Sequence, residues 1–170
     1  MADLVTHLCT ALLPGVLIAG PRATWLALGV VAPDLAARVP GLALDILRRL
    51  SVPIPINIEA PFAVMHMPIG VLCGAVLVSQ IVHPEQRRQA LVWLIAGGAL
   101  HLAVDALQDH HGHGYFLLFP FSTQRYELGW MGSEATVAWA PWLALLTAVV
   151  WGVRWAWLRQ RARSGRAIRK

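Results

Sequence analysis

Charge is scarce in this chain. Of its 170 residues 14% are charged and 57% are apolar, whereas a soluble domain is usually about half apolar and about a quarter charged. That shortage excludes an ordinary soluble domain and predicts an integral membrane protein with no room for a second domain of ordinary size. Cysteine is nearly absent too. Cys9 and Cys73 both fall in apolar segments; two isolated cysteines give neither a disulfide framework nor a CxxC metal motif, so both are expected to be buried free thiols. No internal repeat is present, and the basic tail is the one biased segment. No basic residue precedes Arg22, so the first apolar stretch lacks the positive region of a signal peptide.

Long apolar runs are what the chain does have. Five can be marked, at roughly 4–20, 23–39, 64–82, 89–108 and 136–157. The third, fourth and fifth are long enough to span a bilayer core, which takes ~20 helical residues. The first two are short and contain proline, so they are expected to be tilted, broken or partly inserted. The predicted fold is all-α: a polytopic membrane helix bundle of four to five transmembrane helices, with one domain over residues 1–158 and a basic tail over 159–170. Eight tryptophans suit this class, because their rings favour the membrane–water boundary.

Basic residues predict the orientation. Residues 154–170, RWAWLRQRARSGRAIRK, hold seven of the fourteen Arg and Lys. Directly after a hydrophobic segment, such a tail marks the cytoplasmic end and touches anionic lipid; it is not read as a nucleic-acid site. With the tail in the cytoplasm and five spans counted back, ten basic residues fall inside and Arg38, Arg48, Arg49 and Arg125 fall outside. The expected location is the inner (cytoplasmic) membrane, multi-pass, with the carboxyl terminus cytoplasmic.

The same topology gathers the ionisable residues at one face. His7, Asp34, His66, His101 and Asp105 all reach the outer ends of their segments, and Asp109, His110, His111 and His113 follow in the outer loop. His83, beside Pro84, reads as an ordinary loop residue on the other side. Ionisable groups at membrane depth are costly, so each needs a partner or a function. Within HLAVDALQDHHGHG, residues 101–114, His101 and Asp105 are four apart. On a helix they share a face, about 6 Å apart at Cβ, and can ligate one ion. Zinc takes such nitrogen and oxygen donors; a His–Asp hydrogen bond or a proton relay needs the same spacing. Met65 and Met67 flank His66 without a Cys or Met cluster, so packing is the expected role.

The order Thr6-His7, Pro33-Asp34, lone His66, His101 with Asp105, then Phe119-Pro120-Phe121-Ser122 resembles the LexA-regulated, membrane-bound predicted metal-dependent hydrolases of bacteria. The resemblance covers roughly residues 4–130, and its ligand order is similar to that of zinc-dependent phospholipase C. It implies that Asp34, His66, His101 and Asp105 hold one divalent metal, that His7 stands by a neighbouring site, and that His111 is a candidate for a further ion. No histidine follows His113 to complete a three-metal set, so one or two ions are expected.

A metal-dependent hydrolase is therefore expected. The ion would activate water and polarise a phosphoryl or acyl oxygen, with His7 or Glu134 as general base. Aromatic residues of GYFLLFPFSTQRYELGWMGSE, Arg125 and an amphipathic surface helix LALDILRRL suit a lipid-like substrate reached from the outer leaflet. Membrane lipids are the expected partners; the oligomeric state is not fixed by the sequence. The alternatives are a non-enzymatic membrane protein with a structural metal, and a proton-coupled transporter.

Overall fold

The computed structural model describes residues 4–18, 20–54, 64–109 and 114–167. Helices dominate it: α1 (Leu4–Gly15), α2 (Pro21–Arg49), α3 (Pro68–Gln80), α4 (Pro84–Ala106) and α5 (Ser133–Ala167), with a 3₁₀ turn at Val64–His66 before α3. Two short strands, β1 (Gln108–Asp109) and β2 (Met131–Gly132), pair in parallel. Proline opens α2, α3 and α4, where its missing N–H costs nothing and its fixed φ suits the first turn.

Three helices are long and apolar enough to cross a membrane: α2, α4 and α5. That differs from the expected set. The third apolar run spends its first residues in the 3₁₀ turn, so α3 has 13 residues, about 20 Å, short of a bilayer core of about 30 Å. The second run is longer than expected. Pro33 and Pro40 sit inside α2 without ending it, so LALDILRRL continues α2 and is no separate surface helix. Interior proline removes one intrahelical bond and often kinks the helix, but a helix held by neighbours can run on through it.

α4 is the centre of the bundle. It packs along both α2 and α3, while α1 joins α2 and α5. Leu26 and Val30 of α2 meet Ala11 of α1, with Trp93 and Leu100 of α4 beside them. Ala75 of α3 meets Ala90 and Leu94 of α4. Trp151 of α5 donates to the Leu12 carbonyl at 2.9 Å, tying α5 to α1. Outward faces are apolar, with Leu77, Val92, Trp142 and Leu145 all exposed, as expected of helices that face lipid. Cys9 is a buried free thiol; Cys73 is exposed, because it lies on the outward face of α3.

The α2–α4 contact is backbone to backbone. A Cβ on Gly29 would run into the Leu94 carbonyl, and one on Gly97 into the Leu26 carbonyl. Gly97→Ala should therefore cost about 1–3 kcal/mol, the range for overpacking. Gly152, on α5, has open space around its would-be Cβ, so Gly152→Ala should be neutral or slightly stabilising, as glycine inside a helix costs ~0.5–1 kcal/mol against alanine. Thermal unfolding in detergent measures both. Equal stability of the two variants would mean the helices are not in that contact.

Candidate metal centre

Four elements converge at one end of the bundle. His7 lies on the first turn of α1. Asp34 follows Pro33 within α2. His66 closes the 3₁₀ turn. His101 and Asp105 are one turn apart near the end of α4. All five are buried, none more than 6% exposed. Asp34 is five residues beyond Gly29 and His101 four beyond Gly97, so the glycine contact sets these two side chains facing one another about a turn above it.

Asp105 stands between two imidazoles. His7 Nε2 donates to Asp105 Oδ1 at 3.1 Å. His101 Nε2 lies 3.2 Å from Asp105 Oδ2, off the line that a hydrogen bond needs. The His7 and His101 rings stack with centroids 4.1 Å apart. On the other side Asp34 Oδ1 accepts from Arg38 Nε at 3.1 Å and lies 3.5 Å from His66 Nε2. The His66 ring is 5.3 Å from that of His101. Donor atoms therefore fall into two sets, His7–His101–Asp105 and Asp34–His66–His101, each with its atoms within 4.8 Å of one another. His101 belongs to both.

These residues fit a cation. Six of their buried polar atoms have no hydrogen-bond partner among the described residues: His7 Nδ1, Asp34 Oδ2, His66 Nε2, both His101 nitrogens and Asp105 Oδ2. An unsatisfied buried group costs about 1–3 kcal/mol, so together they cost on the order of 10 kcal/mol, comparable to the ~5–15 kcal/mol stability of a whole domain. Donors on a tetrahedral ion at 2.0–2.1 Å sit about 3.3 Å from one another. The observed separations of 3.1, 3.2 and 3.5 Å bracket that edge. The buried His and Asp groups could hold a metal ion.

A return loop closes the site. Tyr115 and Tyr126 pair across an antiparallel bridge, with both N–H···O distances 2.9 Å. Leu128 N then donates to the Ala106 carbonyl at 2.7 Å and Trp130 N to that of Leu107 at 2.9 Å, fastening the loop to the end of α4. The Tyr115 ring lies 6.3 Å from that of His66. Burial and the neighbouring Asp105 carboxylate push its phenol well above the ordinary tyrosine value, so it is a neutral donor at any physiological pH.

His7, Asp34, His66, His101 and Asp105 are thus brought together as expected, but in two overlapping threes and not as one set of four with His7 alongside. His111 lies outside the described residues, as do His110 and His113. Glu134 is exposed in the first turn of α5 and belongs to neither set. Arg125 stacks over Phe116, 5.1 Å from its ring centre. The Phe119–Ser122 stretch forms the loop's turn, with Phe121 almost fully exposed. Two members were missed. Arg38 is four residues after Asp34, the same spacing that marked His101 and Asp105, and was legible. Tyr115 reaches the site through pairing with Tyr126, which leaves no local signal.

A neutral imidazole keeps one nitrogen protonated and offers the other, so His101 serves one set at a time and one ion per chain is expected. Purified protein assayed by elemental mass spectrometry should carry about one equivalent of divalent metal. His101→Ala removes the member common to both sets and should lose nearly all of it. Full metal content in that variant would rule the centre out.

Comparison with family models, with curated proteins and with solved structures found no match. The functional reading therefore rests on the chemistry of the site.

Proposed function

We propose that the protein is a membrane-bound metal-dependent hydrolase that cleaves a phosphate- or acyl-ester of a lipid-like substrate. The observation that carries this reading is the sorting of donors into threes. A structural zinc site is closed by four protein ligands, whereas a catalytic site supplies three and keeps one position open. Asp34, His66 and His101 are the set that would hold the ion; two imidazoles and a carboxylate suit zinc better than a hard oxygen-seeking ion. The bound ion would supply Lewis acidity, lowering the pKa of water and polarising the ester oxygen.

The chain's own groups do the rest. His7, with Nε2 donating to Asp105, presents an unpaired Nδ1 and takes the proton from the attacking water. Asp105 holds the ring in that tautomer and favours the imidazolium, as the carboxylate of a hydrolytic triad does. Arg38 holds one oxygen of Asp34 and leaves the other unpaired. Glu134 has no part in this scheme. The motif order resembles the LexA-regulated membrane-bound hydrolases, which agrees with the reading. The ten-to-four split of basic residues supports an inner-membrane location with the centre facing outward and the tail in the cytoplasm.

Turnover of phosphate- and acyl-ester lipid analogues by the wild type should vanish on chelation and return with zinc. His7→Ala should keep the fold and the ion while losing roughly 10²–10⁴-fold in rate, the range for a general base. No metal-dependent turnover across such a panel, with stability that collapses on chelation, would leave a structural staple in place of an enzyme.

The orientation has its own check. A reporter fused after Arg169 should be active only in its cytoplasmic form, and His113→Cys should react with an impermeant thiol label from outside the cell. The reverse result would move the centre to the cytoplasmic side.

A further inference from the structure

Beside the centre, a cleft opens between α2 and α3. Among the described residues these helices each pack on α4 and barely on each other. The gap they leave is a cavity of about 170 Å³. Gly29, Ala32 and Ala36 line it from α2, Gly74 and Val78 from α3, and Leu94 floors it from α4. All are small or apolar. From Ala36 to Gly29 the cleft runs about 10 Å along the helix axis. Pro33 and Met65 also line it, the residues directly before Asp34 and His66. Those two are buried and carry unpaired polar atoms, Asp34 Oδ2 and His66 Nε2. The 3₁₀ turn bearing His66 packs on both α2 and α3.

We propose that this cleft is the hydrocarbon subsite of the metal centre and that Arg38 reads the anionic head of the same molecule, so that the substrate is a membrane lipid bearing a phosphate on one slender chain. The choice of substrate rests on the hydrolase reading; the binding does not. Four observations fix the occupant. The walls carry no charged group, so they suit a chain and not a head. Pockets for drug-sized ligands run about 300–1,000 Å³, so a cavity of 170 Å³ admits one chain and not two. The cleft is bounded by helices long and apolar enough to cross a membrane, α2 and α4, so its contents are drawn from lipid. Arg38, four residues past Asp34, bonds Asp34 through Nε while its side chain stays 46% exposed. A guanidinium held beside Asp34, which follows the lining Pro33 in the chain, is complementary to phosphate, whose oxygens it meets in a fork.

Two phosphonic acids that cannot be hydrolysed, butyl and dodecyl, provide the test on metal-loaded protein in nanodiscs of zwitterionic lipid. Calorimetry should show the dodecyl compound binding tighter by about tenfold or more. Gly74→Leu and Ala32→Leu each put bulk into the cleft. At Gly74 a new Cβ meets only the flexible end of Met65, at 3.3 Å, so that variant should fold. Either should remove the chain-length advantage and leave butylphosphonic acid binding and metal content unchanged. Arg38→Met should weaken both compounds by a similar factor, with part of the loss recovered in Arg38→Lys. A dodecyl compound with a photoreactive chain end should label the cleft in preference to Trp142 and Leu145 on the exposed face of α5. Labelling spread evenly over those faces, or a chain-length advantage that survives both filled-cleft variants, overturns the proposal. Selective cleft labelling without turnover of any ester overturns the hydrolase reading alone and supports the subsite.

Discussion

Gly29 and Gly97 let α2 and α4 approach until each meets the backbone of the other. In a membrane, where apolar side chains gain nothing by leaving apolar lipid, such small-residue contacts are a main source of helix association. Here the contact also does chemical work. It sets the spacing between Asp34 and His101. α3 packs on α4 beside α2, and the 3₁₀ turn ahead of it carries His66 to the edge of the same space. α1 adds His7 from the other side and is itself held by α5 through Thr6, whose hydroxyl donates to the Thr136 carbonyl at 3.4 Å, and by Trp151. A larger residue at either glycine would therefore disturb the centre as well as the bundle.

The buried charge explains why that contact must be tight. Asp34 and Asp105 are carboxylates at membrane depth, and each would be costly alone. Asp34 has Arg38 and His66 for neighbours; Asp105 has His7, His101 and Tyr115. Even so, both keep an unpaired oxygen. A fully satisfied network would read as a structural device. One that leaves six polar atoms unpaired, on residues whose ligand atoms gather within 4.8 Å in each set of three, is better suited to receive a cation than to stand by itself. Among the described residues, the far end of the bundle has nothing comparable. Among the described buried residues, Ser79 and Thr147 are polar there, and each hydroxyl donates to its own helix, to the carbonyls of Val76 and Leu143. A proton-coupled carrier needs ionisable groups across the whole membrane; these two hydroxyls do not continue such a path.

Much of this could be read from the chain. Hydropathy gave the helical class, and the convergence of His7, Asp34, His66, His101 and Asp105 followed from counting spans, since antiparallel apolar segments must return their ends to common faces. Helix limits were less legible, because proline has opposite meanings by position: Pro21, Pro68 and Pro84 open helices, whereas Pro33 and Pro40 are carried within one. Arg38 carries its signal in its spacing from Asp34, which its charge alone does not convey. Tyr115 was invisible, as its place depends on a loop that leaves α4 and returns to the same helix end. Glu134 was nominated from chemistry alone, and its position in the first turn of α5 leaves it in solvent-exposed surroundings.

The sharing of His101 is the least expected feature, and it constrains the chemistry. If each set held an ion, His101 would need both nitrogens as ligands and would have to lose its last proton, a change that two positive ions could drive but one could not. With one ion, the imidazole commits to one side and the other set is left as a proton-handling pair. The two sets are not equivalent in that respect. His7 and Asp105 already hydrogen-bond at 3.1 Å, so a proton taken by His7 is stabilised where it lands. Asp34 and His66 are farther apart at 3.5 Å, and Asp34 is engaged by Arg38, which turns its remaining oxygen into a donor without a proton to share. The proposed division of labour, with an ion at Asp34, His66 and His101 and a base at His7, is in keeping with that asymmetry. In the proposed scheme the apolar cleft, lined by Pro33 and Met65, lies on the ion's side of the centre, so a chain lying there would bring its head group to the ion before the base.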